Sequence, residues 1–334
     1  MRVSARSRSD RIMTTIETEF SMNNFPSKPQ YIQFYPTLRC NLSCTFCFNR
    51  GIRTVKDISI TDCARVVGCV ADIGIKEIDI LGGEPTLHSD FLEIVKLIWK
   101  RNLKATISSN GRSVHLLERL SQTYKKDQIQ IGVSLNSGSV PGKLHEYIIK
   151  HKPILKSVCS KKATIPESAG QYLSLPDLRY YLLFMDSVCQ DDLKMSLHFC
   201  EFLKKLNGLK SIHKNVEGVF CSGFLPDSKK YPVLQYVRCP AGTTKLSIMP
   251  NGAVYPCYLL ARYDNYRLGN ILNDDFSRIW KNPILNFFRT FEQNPCLNKD
   301  CVLFHQCHGG CPAVSLLISG NLNAPDPRCV SHLL

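Results

Sequence analysis

Apolar strands alternate with amphipathic helical stretches between residues 31 and 224 of the chain. The strands are rich in β-branched and aromatic residues and are bounded by turn-forming residues. Regular alternation of this kind favours βα units and a parallel sheet. The predicted strands are residues 31–36, 77–81, 103–111, 128–137, 156–165, 180–188 and 216–224.

Apolar residues at helical spacing predict helices over residues 58–74, 89–101 and 191–206. Thr61 is the predicted N-cap of the first helix, and Gly74 is its predicted end. Six βα units would close about three quarters of an eight-stranded barrel. We therefore expect an α/β fold, a partial (β/α)6 barrel of the TIM type followed by a small Cys-rich C-terminal domain. Such a barrel carries its chemistry at the carboxyl ends of its strands.

Three cysteines, Cys40, Cys44 and Cys47, lie within a short loop directly after the first strand. Cysteines at this spacing suit zinc or an iron–sulfur cluster. Either kind of site usually has four protein ligands, and no fourth Cys or His follows locally. Three thiolates would leave one iron of a four-iron cluster open to another ligand. A structural or redox zinc site remains the alternative at this point.

The second strand ends in Gly82-Gly83-Glu84-Pro85, and the two motifs together resemble those of the radical S-adenosylmethionine (SAM) enzymes. In that family the open iron of a [4Fe-4S] cluster, held here by Cys40, Cys44 and Cys47, binds the amino and carboxylate groups of SAM. One electron then cleaves SAM, and the resulting 5′-deoxyadenosyl radical removes a hydrogen atom from the substrate. The SAM contacts implied by the resemblance are Phe46 beside the adenine, Gly82, Gly83, Glu84 and Pro85 around the ammonium, and Asn110 and Ser134 near the carboxylate and ribose.

The composition changes at Pro226, where a turn-rich PDSKKYP stretch precedes seven more cysteines. Their order, with a hairpin turn predicted at Asn251-Gly252 and a helix opening near Asp274, resembles the SPASM extension of radical SAM enzymes. The resemblance implies two auxiliary [4Fe-4S] clusters. Their implied ligands are Cys239, Cys257 and Cys311 for the first cluster and Cys296, Cys301, Cys307 and Cys329 for the second.

Two features of this tail depart from the SPASM pattern. The spacer between Cys296 and Cys301, LNKD, is longer than the family usually has. The first auxiliary cluster has no evident fourth thiolate, and Cys221, another side chain or the substrate could complete it. A pair of structural zinc sites is the alternative for the tail.

The expected organisation is a flexible N-terminal arm over residues 1–28, a radical SAM partial barrel over 29–225 and a SPASM domain over 226–334. An arm of this length is too short for the leader-binding module that many peptide maturases carry before the barrel. If the substrate is a peptide, we therefore expect direct binding by the barrel mouth and SPASM domain or delivery by a separate leader-binding protein.

The composition, 44% hydrophobic and 21% charged, is typical of a globular protein. The formal charge of +14 suits an acidic electron donor of the flavodoxin or ferredoxin type, or an acidic peptide, although lysines spread over a solvated surface explain it equally well. No apolar run spans a membrane, no secretion signal is present, and no aromatic-basic motif indicates nucleic acid. Sixteen cysteines without such a signal favour metal binding in a reducing, anaerobic cytoplasm.

Enzymes with the SPASM extension mostly modify peptides or proteins, so the leading hypothesis is a maturase that oxidatively crosslinks a ribosomally made peptide. Sulfatase maturation is the first alternative; those enzymes carry a catalytic aspartate after the second SPASM cysteine, where this chain has Tyr258. Tyr258 and Asp186, which ends a predicted strand, are the candidate proton acceptors. A non-enzymatic iron–sulfur electron carrier is the second alternative.

Overall fold

The computed structural model of the protein describes residues 26–52, 54–136, 138–220, 237–297 and 300–329, without the side chain of residue 305. Ten strands in these ranges form one sheet in the order β10-β9-β8-β1-β2-β3-β4-β5-β6-β7. Their bounds are β1 Tyr31–Phe34, β2 Glu77–Ile80, β3 Lys104–Ser109, β4 Ile129–Ser134, β5 Ile154–Cys159, β6 Tyr180–Phe184, β7 Val216–Val219, β8 Lys245–Ile248, β9 Ala253–Tyr255 and β10 Gly269–Asn270.

The first seven strands are parallel and neighbour one another in chain order, which confirms the predicted βα architecture. All seven predicted strands are found, although each is shorter than expected, and the end of the last prediction, 221–224, lies outside the described residues.

The opposite edge of the sheet was not predicted. There β8 pairs in parallel with β1, so that Tyr31 lies beside both Glu77 and Lys245. The β8–β9 hairpin confirms the predicted turn, and β9 then pairs with β10. The Cys-rich C-terminal region therefore continues the barrel sheet, and the predicted domain boundary at residue 226 falls between two strands of that one sheet.

Helices connect successive strands of the barrel. The helices are α1 Ile60–Asp72, α2 Phe91–Lys100, α3 Val114–Thr123, α4 Gly142–His151, α5 Glu167–Gly170, α6 Gln190–Met195, α7 Phe199–Ile212, α8 Phe276–Trp280, α9 Asn286–Arg289, α10 Phe304–Cys307 and α11 Pro312–Ser319. Of these, α3 and α4 complete βα units that the sequence pattern did not assign.

Two helix predictions were wrong in detail. The N-cap of α1 is Ser59 and not Thr61, because the Ser59 hydroxyl accepts a hydrogen bond from the Asp62 amide at 3.1 Å. The single helix predicted over 191–206 is two helices, α6 and α7. A new N-cap at His198, whose amide donates to the Glu201 carboxylate at 3.0 Å, separates them.

The two faces of the barrel sheet differ in polarity. Ile32 and Phe34 of β1 are buried on the outer face, in the main hydrophobic core that the sheet shares with the helices. Gln33 alternates with them and lies beside Asp79 of β2 on the inner face. Burial, together with the neighbouring Glu77 carboxylate, raises the pKa of Asp79 to about 8. The buried inner face is therefore polar in this part of the barrel.

Among the described residues, none of the helices has the length and apolar character required to cross a membrane.

Candidate functional site

The three cysteines after β1 lie together in an irregular loop. Cys40 is exposed, whereas Cys44 and Cys47 are half-buried. The Cys47 amide donates to the Cys44 carbonyl at 3.1 Å, which folds the loop back on itself. Burial raises the pKa of the Cys44 thiol, and the nearby Cys47 and Cys40 raise it further. The structure thus brings together the three predicted ligands of the SAM-binding cluster.

The Gly82-Gly83 turn is pressed against the backbone that leads into this loop. A Cβ atom on Gly82 would lie 2.4 Å from the Thr37 carbonyl oxygen, and one on Gly83 would lie 2.1 Å from that of Arg39. The amides of Gly83 and Glu84 donate to the same two carbonyls at 3.1 and 2.7 Å. Only glycine permits this approach, so the turn and the cysteine loop are held in one fixed relation.

The Glu84 carboxylate is 1% exposed and is bound by the ends of two strands. It accepts hydrogen bonds from the Thr86 hydroxyl at 2.7 Å, the Ser109 hydroxyl at 2.9 Å and the Asn110 amide at 2.6 Å. The Gly82 carbonyl accepts from the Asn49 side chain at 2.6 Å. Glu84 therefore fixes the shape of the turn formed by residues 82–85. Its contact with the SAM ammonium stays a prediction.

The remaining predicted SAM contacts surround the same loop. Phe46 is half-buried within the cysteine loop, and Pro85 begins a buried 3-10 turn. The Asn110 side chain donates to the Asn41 side chain, beside Cys40, at 2.8 Å. Ser134, half-buried, is the last residue of β4.

Lys156 is a residue that the sequence analysis missed. It lies directly beside Ser134 in the register of β4 and β5, and its ammonium donates to the Ser108 hydroxyl at 2.7 Å. Burial lowers the pKa of Lys156 to about 8, while Asp79 and Glu84 oppose that change. A buried cation beside Ser134 suits the carboxylate of SAM. No motif surrounds Lys156, so only the strand register reveals it.

The C-terminal cysteines form two groups that match the predicted sets. Cys239, Cys257 and Cys311 share one hydrophobic cluster, which also contains Tyr35 and Leu81 from the strand ends. Burial, together with the nearby thiols of Cys329, Cys296 and Cys301, raises the pKa of Cys307 to about 11. Residues 298 and 299 of the longer spacer, and Cys221, lie outside the described residues.

Among the described residues, no three Cys, His, Asp or Glu side chains lie close enough together to hold one metal ion.

Tyr258, which follows Cys257, meets Asp186, which follows β6. The Tyr258 hydroxyl donates to the Asp186 carboxylate, and the two residues are 1% and 5% exposed. The Tyr258 ring contacts Phe48 of the cysteine loop at 4.6 Å between centroids and Tyr35 at 6.2 Å. Both candidate proton acceptors therefore lie in one buried contact between the cysteine loop and the first group of C-terminal cysteines.

Arg262 is a second residue that the sequence analysis missed. Its guanidinium donates to the carbonyls of Phe48 and, at 2.5 Å, Arg50, and to Leu259 at 3.1 Å. Arg50 in turn forms an ion pair with the buried Asp192 of α6. The two hydrogen bonds from Arg262 to Phe48 and Arg50 attach the end of the cysteine loop to the C-terminal region. They join residues more than two hundred positions apart, which no local motif could indicate.

Comparison with known proteins agrees with this geometry. Residues 34–158 match the sequence profile of the radical SAM superfamily, and residues 239–312 match that of SPASM, an iron–sulfur cluster-binding domain. The chain is a radical SAM enzyme with a SPASM domain. It uses SAM, a SAM-binding [4Fe-4S] cluster and auxiliary clusters, which the glycine approach and the three cysteine groups fit.

Relatives of this radical SAM/SPASM enzyme include a bacteriocin biosynthesis protein and a maturase. The antilisterial bacteriocin subtilosin biosynthesis protein AlbA of Bacillus subtilis is 24% identical, over 89% of this chain and 70% of AlbA. The mycofactocin maturase MftC of Mycobacterium tuberculosis is 24% identical, over 88% of this chain and 81% of MftC.

In its crystal structure with bound SAM, SuiB from Streptococcus suis has the same fold as this chain. Its TM-score is 0.72 at 21% identity, over 98% of this chain and 84% of SuiB. SuiB bound to its precursor peptide SuiA has a TM-score of 0.69.

Proposed function

We propose that this enzyme is a maturase of a ribosomally made peptide. It would cleave SAM reductively, remove a hydrogen atom from the precursor peptide and join two of its atoms in a carbon–carbon or carbon–sulfur crosslink. The names of the similar proteins support a peptide substrate, since AlbA is a bacteriocin biosynthesis protein, MftC is a maturase and SuiB binds a precursor peptide.

The observation that carries the proposal is the hydrophobic cluster shared by the cysteine loop and the first group of C-terminal cysteines. Phe48 of the cysteine loop packs in it together with Cys257 and Tyr258 of the C-terminal region. Crosslinking leaves one electron and one proton to be removed from the peptide. An auxiliary cluster held beside the cysteine loop would accept that electron, which favours such a net oxidation over a simple isomerisation.

The residues of the chain would position and deprotonate the peptide. When bound, SAM and its cluster supply the radical, as in other cofactor enzymes where the protein contributes binding and orientation. The Asp186 carboxylate would accept the proton that the peptide loses, through the Tyr258 hydroxyl that it already binds. Burial of both residues would keep water away from this proton-transfer pair.

Further partners belong to the same proposal. An acidic flavodoxin or ferredoxin would supply the electron for SAM cleavage, which the positive formal charge of the chain favours. Either the barrel mouth and the SPASM domain would hold the peptide directly, or a separate leader-binding protein would deliver it. We place the reaction in a reducing cytoplasm, because cysteine ligands of this number must stay reduced.

Sulfatase-type maturation is the less favoured function. The carboxylate expected directly after the second SPASM cysteine is replaced by Tyr258, and the nearest carboxylate, Asp186, comes from the barrel. The electron-carrier alternative is disfavoured, because a carrier has no use for the glycine turn packed against Thr37 and Arg39.

The test uses anaerobically reconstituted protein with SAM, a strong reductant and the peptides encoded by short reading frames beside the gene. A peptide that loses two hydrogen atoms, as measured by mass spectrometry, while 5′-deoxyadenosine forms would support the proposal. A second outcome would replace the proposal with the sulfatase function. In that outcome 5′-deoxyadenosine forms while all the peptides encoded beside the gene stay unchanged, and a Cys- or Ser-containing sulfatase peptide is oxidised to formylglycine.

A further inference from the structure

Arg238, directly before Cys239, is a buried cation with no carboxylate partner among the described residues. Its side chain is 2% exposed, and its guanidinium carbon lies 4.4 Å from the centroid of the Phe287 ring. Nη1 donates to the Asn323 side chain at 3.3 Å, whereas Nε has no hydrogen-bond partner. Within the described part of the chain, no ion pair includes Arg238.

Arg238 is next to Cys239 in the chain and near enough to Cys296 for that thiolate to act on its charge. Burial lowers the pKa of Arg238, and the Cys239 and Cys296 thiolates oppose that change. Cys239 belongs to the first predicted set of auxiliary ligands and Cys296 to the second. The same cation is therefore near one ligand of each predicted cluster.

A buried charge with no counter-charge costs several kcal/mol, so native proteins pair such groups. Iron–sulfur clusters with thiolate ligands carry negative charge, and hydrogen bonds to their sulfur atoms raise their reduction potentials. We propose that Arg238 is the counter-charge shared by the two auxiliary clusters and that it raises the reduction potential of both.

The consequence for the reaction follows from charge. A cluster that accepts one electron becomes more negative by one unit, so a neighbouring cation stabilises its reduced form more than its oxidised form. Arg238 would thus help the tail to accept the electron that the crosslinked peptide gives up, while the proton goes to Asp186. The inference rests on the cysteine sets and not on the identity of the peptide.

The test is a potentiometric titration, followed by electron paramagnetic resonance, of the full-length enzyme with all clusters reconstituted. Arg238→Gln removes the charge, and Arg238→Lys keeps it. Arg289→Gln is the matched control, because Arg289 also stacks on an aromatic ring, Trp280 at 4.4 Å, and burial likewise lowers its pKa. The SAM-binding cluster serves as the internal reference.

We expect Arg238→Gln to lower the midpoint potentials of both auxiliary clusters and to leave that of the SAM-binding cluster unchanged. Arg238→Lys should shift them less, and Arg289→Gln should not shift them. Unchanged auxiliary potentials in Arg238→Gln with full iron content would overturn the proposal, and so would an equal shift in Arg289→Gln.

The iron content keeps the proposal testable if Arg238→Gln fails to assemble its clusters. Loss of auxiliary iron in Arg238→Gln together with retention in Arg238→Lys would support a charge requirement. Loss in both variants would contradict it. Wild-type protein with only about four irons per chain would instead show that the cysteine assignment itself is wrong.

Discussion

The Tyr258 hydroxyl donates a hydrogen bond to the Asp186 carboxylate, joining the first turn after β9 to the residue pair that follows β6. Seventy-two positions separate the two residues in the chain. The hydrogen bond holds the Asp186 carboxylate against Tyr258, the residue that follows Cys257. The protein therefore keeps a carboxylate near this cysteine although the sequence there has a tyrosine.

Replacing Tyr258 by Phe should uncouple peptide modification from SAM cleavage. The change removes only the hydroxyl, so the ring contacts with Phe48 and Tyr35 remain. If the hydroxyl passes the proton to Asp186, the rate of crosslinking should fall by about a hundredfold or more. Formation of 5′-deoxyadenosine, measured by chromatography, should continue.

Tyr263→Phe is the matched control for this change, because Tyr263 is a half-buried tyrosine of the same segment that packs on Tyr266. Its crosslinking rate should equal that of the wild type. A Tyr258→Phe enzyme that crosslinks at the wild-type rate would remove the pair from the mechanism.

Changing Cys40, Cys44 and Cys47 together to Ala should abolish SAM cleavage and spare the auxiliary clusters. The three residues lie in the loop before α1 and belong to neither of the two C-terminal groups. Iron should fall from about twelve to about eight per chain, as the loss of one four-iron cluster requires.

Buried Cys159 on β5 provides the control, since Cys159→Ala should keep all the iron and full SAM cleavage. If the triple variant still made 5′-deoxyadenosine, the assignment of the SAM-binding cluster would be wrong.

Gly83→Ala should weaken SAM binding by distorting the turn. The added methyl would lie 2.1 Å from the Arg39 carbonyl oxygen, and neither backbone segment can yield without breaking the Glu84 amide hydrogen bond. Overpacking of this kind costs about 1 to 3 kcal/mol. SAM affinity, measured by equilibrium dialysis, should drop by about tenfold or more.

Gly170 offers a comparison in a helix, because a Cβ atom there would meet no atom within 4 Å. Gly170→Ala should therefore bind SAM with wild-type affinity. Equal affinities in Gly83→Ala and Gly170→Ala would argue against a role of the turn in holding SAM.

SAM binding should weaken as the pH rises through about 8. Burial lowers the pKa of Lys156 to about 8, so its ammonium is charged below that pH and neutral above it. Losing a charge-assisted hydrogen bond to the SAM carboxylate should cost about 1.5 to 3 kcal/mol, or roughly ten- to a hundredfold in affinity. Lys156→Met should show this loss at every pH.

Lys156→Arg separates the charge from other pH effects, because an arginine stays charged across this range. Its SAM affinity should vary less between pH 7 and pH 9 than that of the wild type. A wild-type and an Arg variant with the same pH dependence would show that Lys156 does not bind the carboxylate.

The strand and helix pattern, the SAM-binding motifs and the seven-cysteine order were visible in the sequence alone. They are local features: strands and helices follow from periods of two and of 3.6 residues, and cluster ligands follow from cysteine spacing. Even so, the cap of α1 and the division of residues 190–212 into two helices were missed, because competing hydrogen bonds of single side chains decide them.

The tertiary structure decided the relations between distant parts of the chain. The pairing of β8 with β1, the place of Lys156 beside Ser134, the contact of Tyr258 with Asp186 and the closeness of Arg238 to Cys296 depend on it. Each joins residues that are far apart in sequence or brings them to one side of a sheet. Such contacts depend on how packed layers register against each other, which no short stretch of sequence encodes.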